Sequence, residues 1–259
     1  MNMKGNTILV TGGTSGIGLE LARELEKLGN VVIVTGRNAE KLAKVQKENP
    51  GLKTFRSDVS EVKEIEALHA ALSRDFPELN VIVNNAGTMR TINLHKEGES
   101  LEELTREIEI NLMGPIRMVT KFLPSLKKRP HAAIVNVSSG LAFVPLPTAP
   151  IYCSSKAALH SYTLSLRVQL KNTNVKVFEI APPATETELL SGASEPEDLK
   201  GVSVMKTDQM VRESLRGLER DRLEIRPGQS NQLRFMNRVA PDFILGQLSK
   251  PVDRMLRQP

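Results

Sequence analysis

The stretch Thr7-Ile8-Leu9-Val10-Thr11-Gly12-Gly13-Thr14-Ser15-Gly16-Ile17-Gly18 joins a short β-branched run to a glycine-rich turn. Its first five residues predict a buried strand, and the turn opens directly into a helix with apolar residues at 17, 21, 25 and 28. Glycines let another molecule approach the backbone closely, and the free amides at the helix start form an anion site suited to a pyrophosphate. The stretch therefore predicts a nucleotide-binding strand–turn–helix unit.

The rest of the chain repeats this alternation of strand and helix. Six further strand-like runs lie at residues 31–35, 53–56, 81–84, 132–138, 175–180 and 223–225. They predict an α/β fold, a single Rossmann-type doubly wound parallel sheet of about seven strands with helices on both faces. The length of 259 residues fits one domain spanning residues 1–259. Ligands in such sheets bind at the carboxyl ends of the strands.

Tyr152 and Lys156 stand four residues apart, thirteen residues after Ser139. Positions i and i+4 share a helix face, so the lysine ammonium can lie beside the phenol and lower its pKa from the usual value of ~10. Such a pair also occurs on ordinary exposed helix faces. However, the chain holds only two tyrosines, and this one follows a Ser-Ser-Gly turn at the end of a predicted strand. Together the three side chains predict a proton-handling trio.

Five signatures occur in order and resemble those of the short-chain dehydrogenase/reductase family over roughly residues 5 to 190. They are Thr11-Gly-x-x-x-Gly16-x-Gly18, Asn84-Asn85-Ala86-Gly87, Asn111, Ser139, and Tyr152 with Lys156. Within the family, residues 34–38 and 181–183 are similar to a bacterial subgroup that includes the oxidoreductase of teichoic-acid D-alanylation operons.

The resemblance implies a catalytic set of Asn111, Ser139, Tyr152 and Lys156. Ser139 and Tyr152 would hydrogen-bond a substrate oxygen while a hydride passes between its carbon and the nicotinamide, with Tyr152 giving or taking the proton. Lys156 would lower the pKa of Tyr152 and bind the nicotinamide ribose, and Asn111 would hold a water. The predicted cofactor contacts are Gly12, Thr14, Ser15, Gly16, Ile17, Gly18, Arg37, Asp58, Val59, Asn84, Ala86, Gly87, Tyr152, Lys156, Pro182, Thr185 and Thr187.

The residue after the second strand indicates the preferred nucleotide. An acid near this place accepts the ribose hydroxyls of NAD, whereas an arginine pairs with the 2′-phosphate of NADP. The chain has Arg37 here, in Gly36-Arg37-Asn38, so we expect NADP to be preferred, with NAD still able to bind. Asp58 follows the third strand, where family members bind the adenine amino group, and it could also cap the next helix.

The segment after the sixth strand departs from the family pattern. The usual glycine after Pro182 is replaced by Pro183, which removes a backbone donor. The threonine expected to touch the nicotinamide amide is Thr187, with Thr185 as the alternative. Residues 188–204 lack periodicity and predict a mobile lid over the substrate.

Two apolar segments bear on the substrate and partners. Residues 140–147 form a wall almost free of hydrogen-bonding side chains, which favours a hydrophobic carbonyl compound or packing against a lid or subunit. A C-terminal extension over residues 227–259 carries apolar residues among basic ones. It is expected to dock on its own domain or a subunit, with an acyl-binding cover or a membrane-surface element as alternatives.

Composition excludes several classes of protein. The net charge is +5, tryptophan is absent, and no run is long enough to span a membrane, so neither nucleic-acid binding nor a membrane span is expected. The lone cysteine, Cys153, rules out an internal disulfide and fits a cytoplasmic protein, and beside Tyr152 it could pack or sense redox state. The histidines lack metal-ligand spacing, so no metal is expected. The family resemblance implies a homodimer or homotetramer.

An NADP-dependent oxidoreductase acting on a carbonyl or alcohol is the function that these features favour. Two alternatives remain open on the same scaffold. One is an isomerase, epimerase or dehydratase with a tightly held nucleotide. The other is a nucleotide-sensing binding protein, although the intact proton relay argues against it.

Overall fold

The computed structural model describes residues 1–98, 100–193 and 203–256. Its centre is a seven-stranded parallel sheet in the order β3-β2-β1-β4-β5-β6-β7. The strands are β1 (Thr7–Thr11), β2 (Val31–Gly36), β3 (Lys53–Arg56), β4 (Leu79–Asn84), β5 (Ala132–Val137), β6 (Val175–Ile180) and β7 (Glu224–Ile225). All seven predicted strands are present, and β4 begins two residues earlier than predicted. The predicted parallel α/β sheet is confirmed.

Ten α-helices surround the sheet in the described part of the chain. They are α1 (Gly16–Lys27), α2 (Ala39–Glu48), α3 (Val62–Asp75), α4 (Leu101–Ile108), α5 (Gly114–Leu126), α6 (Pro150–Gln169), α7 (Glu188–Ala193), α8 (Thr207–Glu219), α9 (Ser230–Val239) and α10 (Pro241–Met255). Two buried clusters cover the sheet faces: Leu21 of α1 and Met210 of α8 belong to one, and Phe122 of α5 to the other. Because both faces are covered, the central strands are apolar runs without alternation.

The strand order places the ligand cleft. β1 pairs with β2 on one side and with β4 on the other. The chain runs outward from β1 to β2 and β3, then returns to the other side of β1 to form β4, so the strand order switches between β1 and β4. At such a switch point the loops leaving neighbouring strands separate and open a crevice at the carboxyl ends. The glycine turn, residues 11–18, leaves β1 at this point.

The helical region from Leu101 to Leu126 is divided. α4 ends at Ile108, a π-helical turn spans Glu109–Met113, and α5 begins at Gly114. The π turn therefore includes Asn111. A β-carbon on Gly114 would lie 3.0 Å from Val59 Cγ2, so a glycine lets the helix approach the loop after β3. Single π turns often mark functional positions in helices.

The C-terminal extension forms α9 and α10. α9 docks on its own chain, since a β-carbon on Gly140 would lie 2.8 Å from Ser230 Oγ and 3.2 Å from Leu233 Cδ1. The opposite surface leaves Phe235 and Phe243 exposed. Residues 257–259 of the predicted extension lie outside the described part. None of the helices that the structure describes is long and apolar enough to cross a membrane.

Candidate active site

The glycine turn is clamped against the end of β4. A β-carbon on Gly12 would lie 2.7 Å from Ala86 Cα, and one on Gly18 would lie 2.3 Å from Asn85 Nδ2. The Asn85 amide donates to the carbonyls of Thr11 and Gly12, at 3.0 and 3.1 Å. Gly12 also has φ +64°, in the left-handed region that favours glycine. Any side chain at these two glycines would separate the turn from β4.

The N-terminus of α1 has no side-chain cap. Ser15 makes no capping bond to the first turn, and that turn contains no acidic residue. The first amides of α1 therefore lack the side-chain acceptor that usually satisfies them, and they carry the positive end of the helix dipole. Ile17 turns the other way and packs against the buried cluster of that sheet face. This arrangement fits a bound pyrophosphate.

The start of α7 lies across the same turn. A β-carbon on Gly16 would lie 3.2 Å from Thr187 Cγ2, and Glu188 forms a 2.7 Å ion pair with Lys41 of α2. Thr185 is buried instead, pairs with Met205 and donates to the Pro183 carbonyl. The structure thus brings Thr187 to the turn and holds Thr185 below it. Residues 194–202 of the predicted lid lie outside the described residues.

Pro182 joins the end of β6 to the loop after β5, because its carbonyl accepts a 2.7 Å hydrogen bond from the Gly140 amide. Pro183, which stands where the family usually has a glycine, packs near Gly228. A β-carbon on Gly228 would lie 3.4 Å from Pro183 Cγ. The proline ring is therefore accommodated by the start of the C-terminal extension.

Arg37 is exposed at the end of β2, beside the glycine turn. Thr14 packs there, since a β-carbon on Gly36 would lie 2.7 Å from Thr14 Cγ2. Within the residues that the structure describes, no hydrogen bond or ion pair engages the Arg37 guanidinium, whereas Arg56 pairs with Glu64 at 3.6 Å. Arg37 can therefore reach a ligand without giving up a protein partner.

The suggested helix-capping role of Asp58 is wrong. α3 begins at Val62 with Glu61 as its N-cap residue. The Asp58 carboxylate accepts from the amide and hydroxyl of Ser60, at 3.0 and 2.7 Å, and so shapes the turn before the helix. Its neighbour Val59 is buried beneath the π turn.

Asn84 ties neighbouring strands together. Its amide donates to Asn136 of β5 at 2.8 Å, and Asn136 donates to Thr163 of α6 at 2.9 Å. All three side chains are buried. The three side chains thus form a polar chain that links β4 to α6 through β5.

Gly87 and Asn111 form a concave surface beside Lys156. The Asn111 amide donates to the Thr88 carbonyl at 2.9 Å and to Ser155 Oγ at 3.0 Å, and its oxygen accepts from the Thr88 amide. A β-carbon on Gly87 would lie 3.3 Å from Asn111 Oδ1 and 3.5 Å from Lys156 Nζ. Gly87 is exposed while both partners are buried, so it leaves room for a ligand next to the ammonium.

Tyr152, Lys156 and Ser139 come together at the carboxyl end of the sheet. The Lys156 ammonium lies 5.7 Å from the centroid of the Tyr152 ring and donates to the Val137 carbonyl at 2.9 Å. Ser139 lies near enough to the Tyr152 hydroxyl to act on its pKa. Ser139 Oγ also accepts from the Leu141 amide at 3.1 Å, which holds the serine turn, residues 138–142. The predicted trio is therefore assembled and buried.

The predicted lowering of the Tyr152 pKa is wrong, because the pKa is raised. Burial raises the pKa of Tyr152 to about 12, and the hydrogen bond from Ser139 opposes this only in part. Burial also lowers the pKa of Lys156 to about 8, against the attraction of Glu179. The ammonium lies over the ring and bonds a carbonyl, so the cost of a charged phenolate in a dry site dominates. In this state Tyr152 is a proton donor.

Sequence reasoning missed a buried polar cluster behind the trio. Ser138 donates to Glu179 at 2.5 Å, and His160 Nδ1 lies 2.8 Å from the same carboxylate. His160 also packs edge-to-face with Phe143, with ring centroids 5.0 Å apart. A carboxylate in the otherwise apolar interior of β6 was the available signal. Another buried carboxylate, Glu107, raises the pKa of Tyr152 through its charge.

Part of the predicted apolar wall, residues 140–147, packs against the trio. Leu141 and Leu146 pack with Met89 around Tyr152 and Cys153, which gives the trio an apolar border. Cys153 is a buried free thiol, and burial raises its pKa to about 11, which disfavours the reactive thiolate. No group of three metal-ligating side chains occurs in the described ranges.

Comparison with known proteins extends these observations. A sequence profile described as short chain dehydrogenase matches residues 6–198. The uncharacterized oxidoreductase DltE of Bacillus subtilis (strain 168) is 41% identical over 251 residues, covering 96% of this chain and 98% of that protein.

Solved structures share the architecture. A short-chain dehydrogenase from Burkholderia cenocepacia J2315, in complex with NADP, has a TM-score of 0.81 and 26% identity, covering 96% of this chain and 99% of that one. A short-chain dehydrogenase/reductase from Burkholderia phymatum, in complex with NAD, has a TM-score of 0.80 and 21% identity, covering 95% and 96%. The fold is thus one that accommodates either nucleotide.

Proposed function

The chain belongs to the short-chain dehydrogenase family, and from that premise we propose an NADP-dependent oxidoreductase that interconverts a carbonyl compound and its alcohol, with Tyr152 as proton donor. One observation carries the proposal. Tyr152, Ser139 and Lys156 converge in a buried site that opens beside Gly87, at the sheet edge where the glycine turn and an uncapped helix start also lie.

Ser139 and Tyr152 divide the work on the substrate oxygen. When bound, the nicotinamide nucleotide supplies or accepts the hydride. Ser139 orients the substrate oxygen by a hydrogen bond, and the Tyr152 hydroxyl delivers its proton there as negative charge develops. Lys156, held by the Val137 carbonyl, stabilises the phenolate that remains. Asn111, fixed by Thr88 and Ser155, holds the backbone beside this ammonium.

Reduction is the direction that the resting charges favour. A Tyr152 pKa of about 12 keeps the phenol protonated at neutral pH, ready to donate. A Lys156 pKa of about 8 keeps that side chain largely charged below this pH. Oxidation of an alcohol would require Tyr152 to begin as a phenolate, which its burial opposes.

Arg37 supports the preference for NADP. Its guanidinium is exposed, lacks a protein partner in the described part of the chain, and stands next to Thr14 of the glycine turn. A guanidinium binds a phosphate through paired hydrogen bonds, and no acid occupies the neighbouring positions to repel it. NAD would bind without this contact.

An apolar carbonyl compound fits the border of the site. Met89, Leu141 and Leu146 surround Tyr152, so the reacting oxygen would meet polar side chains while the rest of the substrate meets apolar ones.

The lone thiol is free and buried, which supports a cytoplasmic enzyme. A homodimer or homotetramer remains a prediction.

The proposal is tested by following NADPH absorbance with a panel of apolar ketones and aldehydes. We expect turnover by the wild type and a loss of about 10²–10⁴-fold in kcat for Tyr152→Phe. NADPH affinity should stay near the wild-type value, because the hydroxyl serves the substrate. Val168→Ala, at an exposed position at the far end of α6, is the control and should retain activity.

Three results would contradict the proposal. Full activity of the Tyr152→Phe variant would remove Tyr152 from proton transfer. A nucleotide that copurifies and is not consumed during conversion of a substrate would select the isomerase or dehydratase. Nucleotide binding without turnover of any carbonyl compound would favour the sensor.

A further inference from the structure

Glu179 is a fully buried carboxylate to which the proposed mechanism gives no role. It lies on β6 with its side chain at 0% exposure. The Ser138 hydroxyl donates to Oε1 at 2.5 Å, and His160 Nδ1 lies 2.8 Å from Oε2. Burying a carboxylate costs free energy unless hydrogen-bond partners compensate it, so the fold depends on both contacts.

These contacts join the two segments that carry the catalytic side chains. Ser138 immediately precedes Ser139, and His160 lies one helical turn after Lys156 on α6. Glu179 therefore connects the serine turn to α6 through β6. Lys156 makes a second connection to the residue before Ser138, since it donates to the Val137 carbonyl at 2.9 Å.

The charge of Glu179 also acts on the catalytic lysine. The negative charge of Glu179 raises the pKa of Lys156, whereas burial lowers it and has the larger effect. His160 faces the same carboxylate, and its pKa is raised first by that hydrogen bond. Glu224 from β7 and Arg234 from α9 face His160 as well, with opposite effects on its charge.

We propose that Glu179 is a positioning residue for the reductase reaction: through Ser138 and His160 it holds the serine turn against α6. Its charge also favours the protonated form of Lys156. The inference rests on the proposed function, since it assigns Glu179 to the same site. It differs in making a residue outside the substrate cleft responsible for the pH range in which the enzyme works.

The kinetic test compares Glu179→Gln with Ser138→Ala across pH. Glutamine keeps the shape and removes the charge, so Lys156 should lose its proton at lower pH. The alkaline limb of the kcat profile should then move down by on the order of one pH unit. Ser138→Ala removes one contact and keeps the charge, so kcat should fall while the limb stays in place. A uniform drop in kcat for Glu179→Gln, with an unmoved limb, would overturn the proposal.

A second measurement does not depend on turnover. Carbon-13 labelling of the lysine ε-carbons lets the Lys156 resonance be titrated, with Lys156→Arg identifying it. Glu179→Gln should lower that pKa, and Ser138→Ala, which keeps the carboxylate, should leave it in place. Should Glu179→Gln fail to fold, Glu179→Asp, which keeps the charge and shortens the side chain, tests the contacts instead, and a kcat equal to that of the wild type would overturn the proposal. An unmoved Lys156 resonance in Glu179→Gln would refute the role of the Glu179 charge, whereas a wild type inactive with every carbonyl compound would count against the proposed function alone.

Discussion

Replacement of Lys156 by methionine is expected to make the protein more stable at neutral pH while abolishing turnover. Burial lowers the pKa of Lys156 from 10.5 to about 8. Because one pKa unit corresponds to about 1.4 kcal/mol, holding the ammonium inside the protein at pH 7 costs about 3 kcal/mol. Methionine has a similar length without the charge. It gives up the bond to the Val137 carbonyl, worth about 1 kcal/mol, so the net gain is about 2 kcal/mol.

The pH dependence of this gain follows from the direction of the shift. Between pH 8 and 10.5 the unfolded chain binds more protons at Lys156 than the folded one, so the stability of the wild type rises with pH. At pH 9.5 the cost of burial has fallen to about 1 kcal/mol, which the lost hydrogen bond offsets. The two proteins should therefore be about equally stable there.

Urea unfolding followed by circular dichroism at both pH values measures the difference. Lys171→Met is the matched control, because Lys171 is exposed after α6, and its effect should stay within about 0.5 kcal/mol at either pH. A Lys156→Met protein that is no more stable at pH 7 would refute the reasoning, as would an advantage that does not shrink as the pH rises.

Three further predictions address the cofactor cleft and the sheet. Arg37→Ala should weaken NADPH binding by about 1.5–3 kcal/mol and leave NADH binding nearly unchanged in fluorescence titrations; equal losses would contradict the phosphate contact. Gly18→Ala places a β-carbon 2.3 Å from Asn85 Nδ2, so it should lower the free energy of unfolding in urea by about 1–3 kcal/mol and weaken nucleotide binding. Gly246→Ala is the control: its β-carbon meets nothing within 4 Å, so stability and nucleotide binding should both be unchanged. Asn136→Ala removes hydrogen-bond partners from two buried side chains and should cost about 1–3 kcal/mol for each of them, and a loss below 1 kcal/mol would show that water replaces the amide.

The sequence by itself determined the strands, the glycine turn and the identity of the trio. Strand runs are local patterns of β-branched residues, and a four-residue spacing places Tyr152 and Lys156 on one helix face wherever that helix lies. The resemblance of the motifs to the short-chain dehydrogenase family rests on the same local spacings. For this reason all seven strands and the convergence of the trio at the sheet edge agree with expectation.

Only the tertiary structure decided the charges and the supporting contacts. The sign of the Tyr152 pKa shift follows from how deeply the phenol is buried, and burial results from packing between segments far apart in the chain. The contacts of Glu179 with Ser138 and His160 likewise join three elements that no local spacing relates. The placement of Thr187 beside the glycine turn and the burial of Thr185 came from the same source. Local residue patterns predict helices and strands, whereas the dielectric around a side chain depends on everything packed against it.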